Sequence, residues 1–176
     1  ATPVYQTTMQ STFWQRTPMG FIDKDLTPGS SHSYRVYVTD PDGNSISRLG
    51  NTVTVASTDS GGAYSDAVTA DAASSYWPLN ESSGSNSYDH AGFTDLQFGA
   101  GVTRGASSPL SGVTASTFDG ASDGFGATQS AIPGPNVFTA EAWVRTTSTR
   151  GGKILGFGNS ATGTSSSYDR HIYMDN

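Results

Sequence analysis

The chain holds only two glutamates, Glu81 and Glu141, and three histidines, His32, His90 and His171, with no cysteine. Glycoside cleavage needs two carboxylates flanking the scissile bond, usually about 5–10 Å apart. Neither glutamate stands in a paired pattern. Glu141 alternates with Ala140 and Ala142, which predicts a sheet-face residue paired with Arg145 or with a backbone group. The histidines lack the spacing of a metal set, and no serine nucleophile is expected. Asp119 and Asp123 flank a Gly-rich turn, where aspartates cap their own backbone or offer oxygens to a cation. Sugar recognition would need an exposed flat ring. Trp14, Trp77 and Trp143 are the candidates, with Trp77 and Trp143 read first as core residues.

Composition narrows the class. The absence of cysteine removes disulfides and thiolate metal sites, which for a secreted protein favours a bacterial or phage surface. The net charge of -6 disfavours nucleic acid, whose phosphates need clustered Lys and Arg. No apolar run approaches membrane-spanning length, so membrane insertion is not expected. No signal-peptide pattern opens the chain, and an internal piece of a longer protein is expected. Charged residues are 14 %, while Gly and Ser are frequent, as in short strands joined by many turns.

The elements that must position these residues read as strands. Val4–Phe13 and Gly20–Asp23 are rich in strand formers. His32–Thr39 is the clearest strand, with His32, Tyr34, Val36 and Val38 on one face. Asp40-Pro41-Asp42-Gly43-Asn44 is a turn, and Val53–Ala56 returns as a last strand. Residues 57–74 read as a linker that contains a short helix within Tyr64–Ala73.

Leu26-Thr27-Pro28-Gly29, Tyr34-Arg35-Val36-Tyr37-Val38-Thr39-Asp40 and Gly43-Asn44-Ser45 resemble the E–F corner, strand F and F–G turn of a fibronectin type III domain. The resemblance covers residues 1–56 as the C-terminal portion of such a domain. The family's corner tyrosine is replaced by His32, read as a satisfied structural histidine. Tyr76-Trp77-Pro78-Leu79-Asn80-Glu81 and Tyr88-Asp89-His90-Ala91-Gly92 resemble the opening of a laminin G-like jellyroll of the concanavalin A-like lectin/glucanase group. Thr117-Phe118-Asp119-Gly120, Phe138–Arg145, Lys153–Gly158 and Arg170–Met174 continue that resemblance through residues 75–176.

The resemblances imply an all-β chain: a partial fibronectin-like sandwich joined to a partial laminin G-like jellyroll. The missing strands would come from the rest of the protein or from another chain. The glucanase relatives carry a Glu-x-Asp-x-x-Glu strand, which this chain lacks. The cofactor implied is calcium, with Asp89 of the Asp-x-x-Gly turn as ligand and Asp119 as a second candidate. The function implied is a non-catalytic binding or adhesion region of a secreted or cell-surface bacterial protein, with carbohydrate or a cell-wall glycan as partner. The alternatives are an accessory region of a secreted glycoside hydrolase, or of a phage tail or fibre attachment protein.

Overall fold

The computed structural model describes residues 2–10, 12, 20–23, 26–27, 29–55, 62–121 and 123–175. The chain is all-β with one short helix. It divides into two compact units, Ala1–Asp66 and Ala67–Asn176.

The first unit is built on one antiparallel hairpin, β1 (Ser31–Thr39) and β2 (Ser45–Thr54). Its turn closes as the sequence predicts. Asp40 Oδ1 accepts from Asn44 N at 2.8 Å, Oδ2 accepts from Asn44 Nδ2 at 2.9 Å, and Gly43 takes the left-handed φ of 86°. Those two bonds, led by the Asn44 side chain, hold the Asp40 carboxyl below its ordinary range. Ser31 pairs with Thr54 and Ser33 with Thr52 through hydroxyl bonds across the ladder. The return strand begins at Ser45, well before the expected Val53, because the ladder runs from the turn itself. No strand forms among the described residues of 4–13 and 20–23. Tyr5 and Phe21 stack there instead, with ring centroids 4.8 Å apart.

The second unit holds three small antiparallel sheets. β3 (Asn86–Ser87), β4 (Leu96–Phe98) and β7 (Gly126–Thr128) form one, in the order β3-β4-β7. β5 (Val102–Ser107) pairs with β6 (Thr114–Phe118), and β8 (Gly152–Gly158) with β9 (Tyr168–Met174). The helix α1 (Gly62–Ala70) spans the boundary between the units and lies in the segment expected to be helical. The segment Phe138–Arg145, expected as a strand, joins no sheet. Its composition suits a strand, but a strand exists only when its backbone groups find a ladder partner.

The apolar core is missing among the described residues, where no hydrophobic side chain is fully buried. Val36, Tyr37, Val38, Ile46, Leu49 and Val53 of the hairpin are all exposed. The chain exposes 13587 Å² in total. Two separately folded units of these lengths would together expose about 10,000 Å². The hairpin therefore carries apolar side chains that no described residue buries.

Candidate functional site

Asp89 organises the 89–95 turn of the second unit. Among the described residues it is one of two that are buried, the other being Ser87. Asp89 Oδ1 accepts from Tyr76 N at 2.8 Å, Ala91 N at 3.1 Å and Gly92 N at 2.9 Å. Its Oδ2 accepts from Thr94 N at 3.2 Å and from Thr94 Oγ1 at 2.6 Å. Desolvation pushes the Asp89 carboxyl upward, but the bonds from Thr94, Tyr76, Gly92 and Ala91 outweigh it and hold the carboxyl below its ordinary range. Only glycine fits at position 92, where a Cβ would lie 2.7 Å from Asp89 Oδ2 and 2.7 Å from Ser74 O. Asp89 N in turn donates to Asp95 Oδ1 at 2.9 Å.

These bonds fix the 89–95 turn, and its far end faces a pocket. Asn86, Phe93, Thr94, Asp95, Leu96, Gln97, Gln129 and Ser130 line a shallow, half-open hollow of ≈ 250 Å³. The Phe93 side chain is 54 % exposed, so its ring is open to a ligand. Around it stand three amides, two hydroxyls and one carboxylate. Each carboxamide carries both a donor and an acceptor, while the Thr94 hydroxyl is already bonded to Asp89 and Ser75. β3 carries Asn86 and β4 carries Leu96 and Gln97, while Gln129 directly follows β7, so one small sheet anchors these parts of the lining.

A second cluster braces this sheet. Arg104 pairs with Glu81 at 3.2 Å, and its Nη2 donates to Gly84 O at 2.9 Å and Asn86 O at 3.0 Å. Its guanidinium lies 4.1 Å from the centroid of the Phe98 ring. Glu81 Oε1 accepts from Tyr88 N at 2.8 Å. Glu81 is thus engaged in holding the 81–88 loop.

The residues singled out from sequence fall into different places. Calcium at Asp89 would compete with five donors for a carboxylate that offers about four lone-pair sites. Asp119 Oδ1 accepts from Ala121 N at 2.9 Å in a turn whose Gly101 and Gly124 pack on the carboxylate. Among the described residues no group of three or more His, Cys, Asp or Glu is arranged to hold a metal ion. Trp77 is half-buried, with Nε1 donating to Thr94 O at 2.8 Å, while Trp143 is 70 % exposed. Trp14 lies outside the described residues. His32 Nε2 meets Ser30 Oγ at 2.6 Å, His171 Nε2 meets Phe157 O at 3.1 Å, and the His90 ring sits edge-on to Tyr76.

Gly120-Ala121-Ser122-Asp123-Gly124 spells Gly-x-Ser-x-Gly, which the expectation of no serine nucleophile overlooked. A nucleophile elbow needs a strand, a sharp turn and a helix. Here the segment lies between β6 and β7, both strands, and Ser122 is outside the described residues.

The pocket residues Phe93, Gln97 and Gln129 were missed by sequence reasoning. They belong to no motif, and only the folding of β4 against β7 brings them together. Comparison with known proteins finds no matching family, no matching curated sequence and no matching solved structure. The two domain resemblances therefore rest on the motifs alone.

Proposed function

We propose that this chain is a non-catalytic binding region of a secreted or cell-surface protein, with carbohydrate as its ligand. The observation that carries the reading is the ≈ 250 Å³ pocket where an exposed Phe93 ring stands beside Asn86, Gln97, Gln129 and Asp95. A sugar ring has an apolar face and a rim of hydroxyls, and this lining offers a partner for each. The volume suits one monosaccharide unit at a chain end or branch, below the usual range of about 300–1,000 Å³ for drug-sized ligands. Glu81 is held by Arg104 and the Tyr88 amide. Neither glutamate is among the residues that line the pocket. That supports binding without hydrolysis. The lack of cysteine and the turn-rich composition agree with a bacterial extracellular module. No helix among the described residues is long and apolar enough to cross a membrane.

A glycan array followed by calorimetry tests the reading. The chain should bind a defined glycan class, and Phe93→Ala should weaken that binding at least about tenfold. The same glycans should release no reducing ends on incubation. Binding that is indifferent to both Phe93→Ala and Gln97→Ala would overturn the reading, and so would an array without any hit.

A further inference from the structure

We propose that the sugar taken by the hollow beside the 89–95 turn is a hexosamine with a free amino group, and that Asp95 Oδ2 receives its ammonium. This rests on the carbohydrate reading above and deepens it. The charge of the lining points there. Of the eight residues around the hollow, Asp95 alone is charged, and no Lys or Arg stands among them. Asp95 is exposed, and one of its oxygens is already used. Oδ1 accepts from Asp89 N at 2.9 Å, while Oδ2 accepts from no described residue. The first bond steadies the carboxylate and leaves its second oxygen open to a ligand donor.

A carboxylate accepts from hydroxyls and ammonium groups alike, so hydrogen bonding alone does not choose between them. Charge does, because an ammonium adds Coulomb attraction to the bond. The surroundings leave the negative charge uncompensated. Arg104 bonds the Asn86 carbonyl at 3.0 Å, but it pairs with Glu81 at 3.2 Å and its side chain is 10 % exposed. Asp89 lies in the same turn and adds a second carboxylate, whose five donors are neutral amides and a hydroxyl.

The other groups read the rest of the sugar. Phe93, 54 % exposed, offers an apolar face. Gln97 makes no side-chain hydrogen bond to a described residue, and Asn86 Oδ1 accepts from Ser85 while its amide nitrogen donates to none. An N-acetylated sugar keeps a donor for Asp95 but loses the charge. A sugar acid meets a like charge and no cation in the lining.

Calorimetry on the whole chain, in mildly acidic buffer at low salt where the amine is protonated, compares trimers of glucosamine, N-acetylglucosamine and galacturonic acid. The glucosamine trimer should bind about twofold to fivefold more tightly than the N-acetylated one, the worth of an exposed ion pair, and the galacturonic acid trimer most weakly. Asp95→Asn keeps an oxygen for Asp89 N and removes the charge, so the first two affinities should come within about 1.5-fold of each other. Asp42→Asn makes the same change of net charge at an exposed turn of the first unit and should leave the ratio as in the parent. Gln97→Glu sets a second carboxylate in the lining and should widen the ratio, which keeps the test decisive if Asp95→Asn does not fold. A glucosamine trimer that does not bind, or binds no more tightly than the other two, overturns the inference, while hits elsewhere on a glycan array leave the carbohydrate reading standing. A ratio that neither Asp95→Asn nor Gln97→Glu moves, or that Asp42→Asn erases as well, overturns it too. An array without any hit removes both.

Discussion

Replacing Asp89 by alanine should remove the anchor of the 89–95 turn and cost roughly 3 kcal/mol of stability. The magnitude follows from the bonds. Five donors converge on the carboxylate, four of them backbone N–H groups of Tyr76, Ala91, Gly92 and Thr94. A hydrogen bond to a charged group contributes about 1.5–3 kcal/mol net, and an orphaned buried donor costs about 1–3 kcal/mol. The donors lie in a half-buried loop where water can replace some of the lost bonds, so the total stays far below five full contributions. Against a typical domain stability of about 5–15 kcal/mol the loss is large. Asp89→Asn offers a sharper version. Its amide keeps one acceptor for Tyr76, Ala91 and Gly92 but turns an NH₂ toward the Thr94 backbone N–H, donor against donor, while the Thr94 hydroxyl can rotate to accept. The linkage sign is fixed by the lowered pKa of Asp89. Below the ordinary carboxylate range the unfolded chain binds the proton first. The Asp89 contribution is therefore full above about pH 4 and is lost as pH falls through the folded-state value. Urea unfolding of parent and Asp89→Asn at neutral pH and near pH 3 measures this directly. The gap between them should shrink at the lower pH. A gap below about 0.5 kcal/mol at neutral pH, the size of an ordinary surface change, would refute the reasoning.

Arg104→Ala should destabilise the second unit by about 2 kcal/mol, since it removes the Glu81 pair, two carbonyl contacts and the Phe98 stacking. Arg104→Lys should recover little of this in a thermal melt, because a lysine cannot span three acceptors in a planar fork. Added calcium should leave the melting temperature of this chain unchanged relative to chelator, given the five donors on Asp89. A calcium-dependent rise that disappears in Asp89→Ala would show instead that the ion displaces them. Phe93→Ala should weaken glycan binding while leaving the far-ultraviolet dichroism and the melt unaltered, because the side chain is mostly exposed.

Local pattern carried β1, the Asp40–Asn44 turn and α1, because each is written in consecutive residues, while the strands at Lys153–Gly158 and Arg170–Met174 were expected from the resemblance. His32, Tyr34, Val36 and Val38 alternate, and Asp40 with Gly43 and Asn44 supplies the turn chemistry. The early part of β2 was not legible. Ser45-Ile46-Ser47-Arg48 holds one strong strand former, Ile46, and its pairing with Val36–Thr39 makes it a strand. Asp89 was found by sequence, but as a candidate ligand. The five donors that fill its oxygens come from positions up to thirteen residues away, and no spacing rule predicts them. The pocket was illegible for the same reason. Gln97 and Gln129 are thirty-two positions apart and meet only through the β4–β7 ladder.

Phe138–Arg145 shows the opposite failure, a strong local signal without a local result. Strand propensity reports how well side chains fit a pleated surface. It supplies no partner, and a strand forms only where its backbone donors and acceptors meet a ladder. The same accounting explains the empty core. Val36, Val38, Ile46 and Val53 alternate correctly along the hairpin, yet a two-stranded sheet has no second layer to press them against. Periodicity encodes which face should be buried. What buries it must come from a surface with a matching face.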